Sequence, residues 1–256
     1  MHGGRMEAVR RLWWLGGTAV LVLVTGLAAA LAYTSQNTPD RLKLADTSPQ
    51  ATASPSPPPP QPALDNTCVP GSNPTTAIEW TVQPGSMAGF RVHENFLDFQ
   101  FPHEAVARSD KVAGYLVSSS DRRQMLEGCI AVDLRGLTSV DKLPPPLPPA
   151  SNRDGLFPDI FDLKDYPLAI FEPDPMDLPA SKSGQVAHLK INGQITIRGA
   201  TRPVAVKADC RLGGETLACA GSATVDARQF DVLLPGSDSP IQVDPMITIE
   251  FSLLFS

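Results

Sequence analysis

Four cysteines and four histidines are the side chains of this 256-residue chain best placed to make or hold bonds. His2, His93, His103 and His188 show no H-x-x-x-H spacing, and no Cys-x-x-Cys accompanies them. A metal site needs three or four convergent ligands, so none is assigned. The serine nucleophile elbow G-x-S-x-G is absent, because Gly85-Ser86 fails its spacing, and there is no Gly-rich phosphate loop. An envelope hydrolase is therefore the weakest reading: no catalytic residue and no cofactor is implied. The chemistry that remains is thiol oxidation. Cys210 and Cys219 flank Gly213-Gly214, a turn signal, and a chain folding back there sets the two cysteines opposite one another across a hairpin. Such a cross-strand pair offers the Cα separation of ~4.4–6.8 Å that a disulfide needs. Cys68 and Cys129 are left for each other. This pairing is one of several that four cysteines allow, and four buried thiols are the alternative; an exported chain favours the disulfides.

The elements that must position these residues are strands. Apolar–polar alternation recurs over Ala77 to Val82, Ala88 to Val92, Val112 to Val117, Gly128 to Leu134, Leu168 to Phe171, Val186 to Ile197, Val204 to Leu212, Thr216 to Val225 and Ile247 to Phe255. Gly, Pro, Asp or Ser marks most connections. Long helical periodicity is absent; a short helix is expected between Ser151 and Leu163, with Asn152 or Asp154 as its cap. The spacing suits an all-β sandwich or an up-and-down barrel. Ile191, Gly193, Ile195 and Ile197 share one face, with Asn192, Gln194, Thr196 and Arg198 opposite. Ile247, Ile249 and Phe251 likewise oppose Thr248, Glu250 and Ser252. That is an antiparallel sheet with one dry side. In a barrel of about eight strands the dry side faces a lumen that can hold one small ligand.

Ahead of these strands the chain changes character. Residues 12–33 are apolar and uncharged, and a bilayer span needs ~20 such residues. Arg5, Arg10 and Arg11 precede this run and no basic residue follows before Arg41, which places residues 1–11 in the cytoplasm and the rest outside. The run exceeds the ~7–15 residues of a signal-peptide core, so an uncleaved transmembrane signal anchor is expected. Secretion after cleavage near Ala32, at Ala30-Leu31-Ala32, is the alternative. Residues 34–75 read as a Pro-rich linker, and Thr47 to Pro62 as a semi-rigid spacer holding the domain off the membrane. Residues 76–256 then form one folded domain. The 27 acidic against 21 basic side chains, with no basic patch, make nucleic acid an improbable partner. An exposed sheet edge leaves a homodimer open.

Gln194 to Val204, Q-I-T-I-R-G-A-T-R-P-V, reads as a strand, a corner at Gly199 and a second strand resuming after Pro203. It resembles the strand-turn-strand signature of the YceI-like family. Trp80-Thr81-Val82-Gln83-Pro84-Gly85-Ser86 followed by Phe90-Arg91-Val92 is similar to that family's opening, although Gln83 stands where Asp is frequent. Gly85 to Glu94 and Val112-Ala113-Gly114 look closer to an actinobacterial subset. Asn152-Arg153-Asp154-Gly155-Leu156 with Phe161 to Phe171 resembles its R-D…F-x-x-x-x-Y-P-x-x-x-F motif. Ala223 to Asp231 and Ile247 to Leu253 look like its last two strands. The Pro-rich Leu143 to Pro149 and the N-terminal anchor depart from the pattern. The resemblance implies an antiparallel, up-and-down, lipocalin-like β-barrel with an apolar cavity for a long-chain lipid, and no catalytic residues.

On that resemblance, Phe90, Phe157, Phe161, Phe171, Ile195, Ile197, Val204 and Val206 are the expected cavity lining. Phe157, Phe161, Tyr166 and Phe171 suit equally a plug at the barrel end. Arg153 and Asp154 either meet a ligand head or, the reading favoured here, cap a short helix and pair with a neighbouring strand. Arg198 is expected on the polar face, and His93-Glu94 at solvated strand positions. Lys142 to Pro148 resembles an SH3 ligand but is read as a stiff surface loop. The expected function is a membrane-anchored extracytoplasmic protein holding a polyisoprenoid, an isoprenoid quinone or a fatty amide. The alternative is a structural or adhesive envelope module that keeps the fold without the cavity.

Overall fold

The computed structural model describes residues 38–45, 64, 67–71, 77–99, 101–180 and 182–256. The expected anchor at 12–33, the cleavage position near Ala32 and the Pro-rich 47–62 lie outside them. Among the described residues no helix is long and apolar enough to cross a membrane.

One antiparallel sheet dominates. Its strands are β1 (Ala77–Thr81), β2 (Met87–Phe96), β3 (Phe101–Ser109), β4 (Val112–Ser119), β5 (Gln124–Asp133), β6 (Thr138–Ser139), β7 (Leu168–Pro173), β8 (Met176–Asp177), β9 (Val186–Ile197), β10 (Ala200–Gly213), β11 (Thr216–Asp226), β12 (Ile241–Val243) and β13 (Met246–Phe255). A short helix, α1 (Phe157–Phe161), follows a 3-10 turn over Ala150–Leu156. The order runs β1-β4-β5-β7-β9-β10-β11-β13-β2-β3-β6, with β12 on β2 and β8 on β5. The sheet curls into a half-barrel. Val82 bridges Phe255 and Gln83 N donates to Leu254 O, so the chain just after β1 returns to β13 and draws the curl together. Thirteen segments stand among the described residues where about eight strands were expected; β6, β8 and β12 are fragments of two or three residues, which leaves ten longer strands.

The β9–β10 hairpin shows how sequence sets register. Ile197 pairs with Ala200, leaving Arg198 and Gly199 as a two-residue turn. Their φ angles are 51° and 75°, the paired positive values of a hairpin turn whose twist matches the strands. The second strand thus resumes at Ala200, not after Pro203. Pro203 is tolerated because β10 pairs β11 only from Lys207 onward, so the proline's missing N–H leaves no ladder bond unmade.

The two faces of β13 reverse the simple expectation. Ile249 and Phe251 do point inward, yet they are only half-buried, whereas the outward Glu250 is 2% exposed. The inward residues border a cavity. The outward face of β2, β3 and β13 is covered by a strap, residues 38–45. Arg91 Nη2 donates to Pro39 O (2.7 Å), Arg108 to Asp40 O, Leu42 N to Glu250 Oε2 (3.3 Å), Ser252 Oγ to Lys43 O (2.8 Å) and Arg211 Nη2 to Ala45 O (2.7 Å). Farther on, Cys68 is bonded to Cys129 on β5. Residues 38–45 and Cys68 of the expected linker are therefore tied to the domain, while the 47–62 segment expected to act as a spacer lies outside the described residues.

Candidate functional site

Apolar residues at every second position of β9, β10, β11 and β13 face one side, and the curl turns that side inward. The result is an apolar cavity of about 260 Å³. Phe90, Phe161, Phe171, Ile195, Ile197, Val204 and Val206 all line it, together with the Cys210 and Cys219 pair. Phe157 does not reach it. It lies behind the lining, its ring centroid 6.0 Å from Phe90 and 6.1 Å from Phe161, and these three rings cap one end. Tyr166 is exposed and leans over the hairpin turn, where a Cβ on Gly199 would sit 2.6 Å from its Cε1.

The two ends differ. At the α1 end the lining residues Leu134, Leu137, Phe161, Ile197 and Ile247 are buried. At the other end Met176, Leu178, Leu212 and Leu217 are half-buried, and Pro179 and Arg122 are exposed. The cavity is stoppered by aromatic rings at one end and reaches solvent at the other. Its polar side chains are few. Ser118 accepts from Trp80 Nε1 at 3.0 Å, and Arg122 carries the one charge of the lining.

Outside the cavity, two buried ionic clusters brace the wall. In the first, Glu250 accepts from Arg91 Nε at 2.7 Å and from Arg108 Nη2 at 2.8 Å, while Arg91 Nη1 reaches Glu104 at 3.0 Å. In the second, Arg153 donates to Glu94 (3.0 Å) and Asp141 (3.0 Å), and His103 Nε2 lies 2.7 Å from Asp141 Oδ2. Burial pushes the Asp141 carboxyl up, but hydrogen bonds from His103 and Arg153 outweigh it and hold it down at about 2. Burial raises Glu94 above the usual carboxylate range against the pull of Arg153.

These contacts decide several expectations. Arg153 pairs with a neighbouring strand, as the structural reading had it, and stays away from the cavity. Asp154 accepts from Ser139 N at 2.8 Å and caps nothing; α1 has no side-chain cap. Glu94 is buried, not solvated, because the turn bearing Arg153 covers it; His93 is exposed as expected. Arg198 spans the turn, donating to Asp231 O, with Asp162 4.0 Å away. Ser86 Oγ donates to Gln83 O at 2.8 Å and accepts from Leu254 N at 3.0 Å, which gives it a turn-locking role. Both disulfides form as paired in the sequence reading, Cys68–Cys129 and Cys210–Cys219. The sequence reading missed Arg122. Its signal was available: an arginine in the Ser119-Ser120-Asp121-Arg122 turn, beside strands whose inner faces are apolar.

No curated protein matches the chain. Among solved structures it is similar to a polyisoprenoid binding domain from Saccharophagus degradans implicated in plant cell wall breakdown, at 13% identity and a TM-score of 0.49, over 69% of this chain and 97% of that one. It is also similar to Burkholderia cenocepacia BcnA, at 20% identity and a TM-score of 0.49, over 68% of this chain and 98% of that one. The model of the YceI-like domain matches residues 80–255, most of the chain and nearly all of the sheet, so this protein belongs to the YceI-like family.

Proposed function

We propose that the protein is a membrane-anchored, extracytoplasmic carrier that holds a long-chain lipid, such as a polyisoprenoid, an isoprenoid quinone or a fatty amide, in its cavity. The observation that carries this reading is the apolar cavity closed by Phe90 and Phe161, backed by Phe157, at one end and reaching solvent at the other. An apolar cavity offers water no hydrogen-bond partners, so it favours an apolar occupant. Each CH₂ moved there from water gains ~0.8 kcal/mol. The volume lies just below the ~300–1,000 Å³ of ligand pockets, room for part of a long chain with the remainder toward the mouth. The anchor and the outward orientation are supported by the apolar run at 12–33 and the arginines before it.

The test is lipid recovery. The full chain, exported to an oxidising compartment and purified in an amphipathic polymer, is extracted with organic solvent and the extract analysed by mass spectrometry. A stoichiometric long-chain lipid from the wild type, lost from a Val204→Phe variant that fills the cavity, supports carriage. Equal recovery from both, or none from either after incubation with prenyl lipids and fatty amides, favours the structural envelope module.

A further inference from the structure

We infer that Arg122 selects the head of the bound lipid and that the preferred head is an anion, a carboxylate or a phosphate monoester. This rests on the carrier reading and narrows it, setting acidic lipids above the neutral quinone and amide.

Four observations converge on this side chain. Arg122 is the one charged residue of an otherwise apolar lining, and it sits at the end that reaches solvent. It has no carboxylate partner among the described residues. Its guanidinium lies over the Trp80 ring, 5.3 Å from the centroid, and Trp80 is itself buried and fixed through Ser118. Its backbone is left-handed, φ 57°, a conformation that a bulky side chain adopts only where its surroundings impose it.

The surroundings do impose it. Arg122 N donates to Ser119 O at 2.8 Å, Ser119 Oγ donates to Asp121 Oδ1 at 2.6 Å, and the amides of Arg123 and Gln124 donate to Asp121 Oδ1 (3.1 Å) and Ser119 Oγ (3.0 Å). The adjacent carboxylate, Asp121, is thereby occupied in locking the turn. A glycine would take this φ without strain, but the chain places an arginine there. A guanidinium stacked on an indole has lost part of its rotamer freedom already and keeps its N–H edges free. Those edges match the two oxygens of a carboxylate or phosphate. An apolar tail entering beside Trp80 and Leu217 brings its head to this fork.

The experiment measures equilibrium binding of palmitate, cetyl phosphate, cetyl alcohol and inorganic phosphate to the full chain in amphipathic polymer. Wild type is compared with Arg122→Gln and Arg122→Lys, after circular dichroism has shown each variant to be folded. The expected result is palmitate and cetyl phosphate binding about tenfold or more tighter than cetyl alcohol, the worth of a charge-assisted hydrogen bond. Arg122→Gln then lowers the affinity for the acids about tenfold more than for the alcohol, and Arg122→Lys recovers part of the difference. Acids and alcohol binding alike, or a preference for acids that survives Arg122→Gln, overturns the inference and leaves lipid carriage standing. No binding of any chain overturns both. Inorganic phosphate binding as tightly as cetyl phosphate marks a surface anion site and overturns head selection.

Discussion

Glu250 and Phe251 are neighbours on β13, and the carboxylate is the more buried of the two: 2% exposed, against a phenyl ring that is half open to the cavity. Glu250 is the hub of a cluster that takes Arg91, Arg108 and the amide of Leu42. Replacing it by glutamine leaves Arg91 buried beside a neutral amide. Breaking one partner of a buried pair costs about 3–5 kcal/mol. Glu250→Gln is expected to lower the urea midpoint accordingly and to speed proteolysis within 38–45. A stability within 1 kcal/mol of wild type, a marker of about a surface-pair effect, would show that the cluster does not hold the strap.

The second cluster gives an acid limb. Asp141 titrates near 3.8 when unfolded and at about 2 when folded. As pH falls the unfolded state takes the proton first, so the stabilisation is complete above about pH 4 and drains away toward pH 2. The loss is about 2 kcal/mol. Glu94 acts oppositely: burial raises its pKa despite Arg153, so its contribution improves as pH falls through its folded value. Unfolding in urea at about pH 6, 4 and 3 is expected to show the loss only at the last step. Asp141→Asn is expected to flatten that step.

Filling the cavity should separate carriage from stability. Val204 is a half-buried lining residue, and phenylalanine there occupies space that no side chain uses. Val204→Phe is expected to be neutral or to stabilise the lipid-free protein by up to about 1 kcal/mol, as cavity-filling changes do. Calorimetry checks it. A large fall in melting temperature would mean the space is an ordinary packing defect with no room to accept a side chain.

The hairpin turn admits only glycine at position 199. Its φ is 75° and an added Cβ would meet Tyr166 at 2.6 Å. Gly199→Ala is expected to cost about 1–3 kcal/mol. Gly199→Ala combined with Tyr166→Ala should recover the steric share and leave the backbone share, which chemical denaturation of the two variants can separate.

The disulfides should differ in worth. Cys68–Cys129 closes 61 residues and Cys210–Cys219 closes 9. Loop entropy assigns about 4 kcal/mol to the longer and about 2–3 kcal/mol to the shorter. The paired serine variants, compared by urea unfolding, are expected to keep that order.

Much of this was legible in the sequence. β9 came through with both boundaries because its outer face is solvated and its inner face apolar, so alternation is clean. The same alternation placed Ile195, Ile197, Val204 and Val206 on the lining. β3 was not legible. The strap over Arg108 covers its outer side, and the segment carrying Asp141 and Arg153 meets His103 on the other, so both faces are buried, no period of two survives, and His103 and Pro102 dilute the apolar signal. Glu94 misled for the same reason: a lone glutamate in a strand reads as solvated until the arginine that neutralises it, 59 residues away, is known. Phe157 missed the lining because a five-residue helix turns its two phenylalanines to different depths. The strap was hidden because it binds through backbone carbonyls and the Leu42 amide, which carry no residue code.

That strap sets a tether length. Pro39 is held by Arg91, and five residues separate it from Tyr33. A fully stretched chain covers at most ~3.6 Å per residue, so Pro39 and the patch of sheet it docks on stay within about 20 Å of wherever residue 33 is fixed. The 43 residues between the apolar run and β1 read as a long leash, but the docked strap shortens it to a few links. On the anchored reading proposed above, the domain would thus be held against the bilayer and not out on an arm.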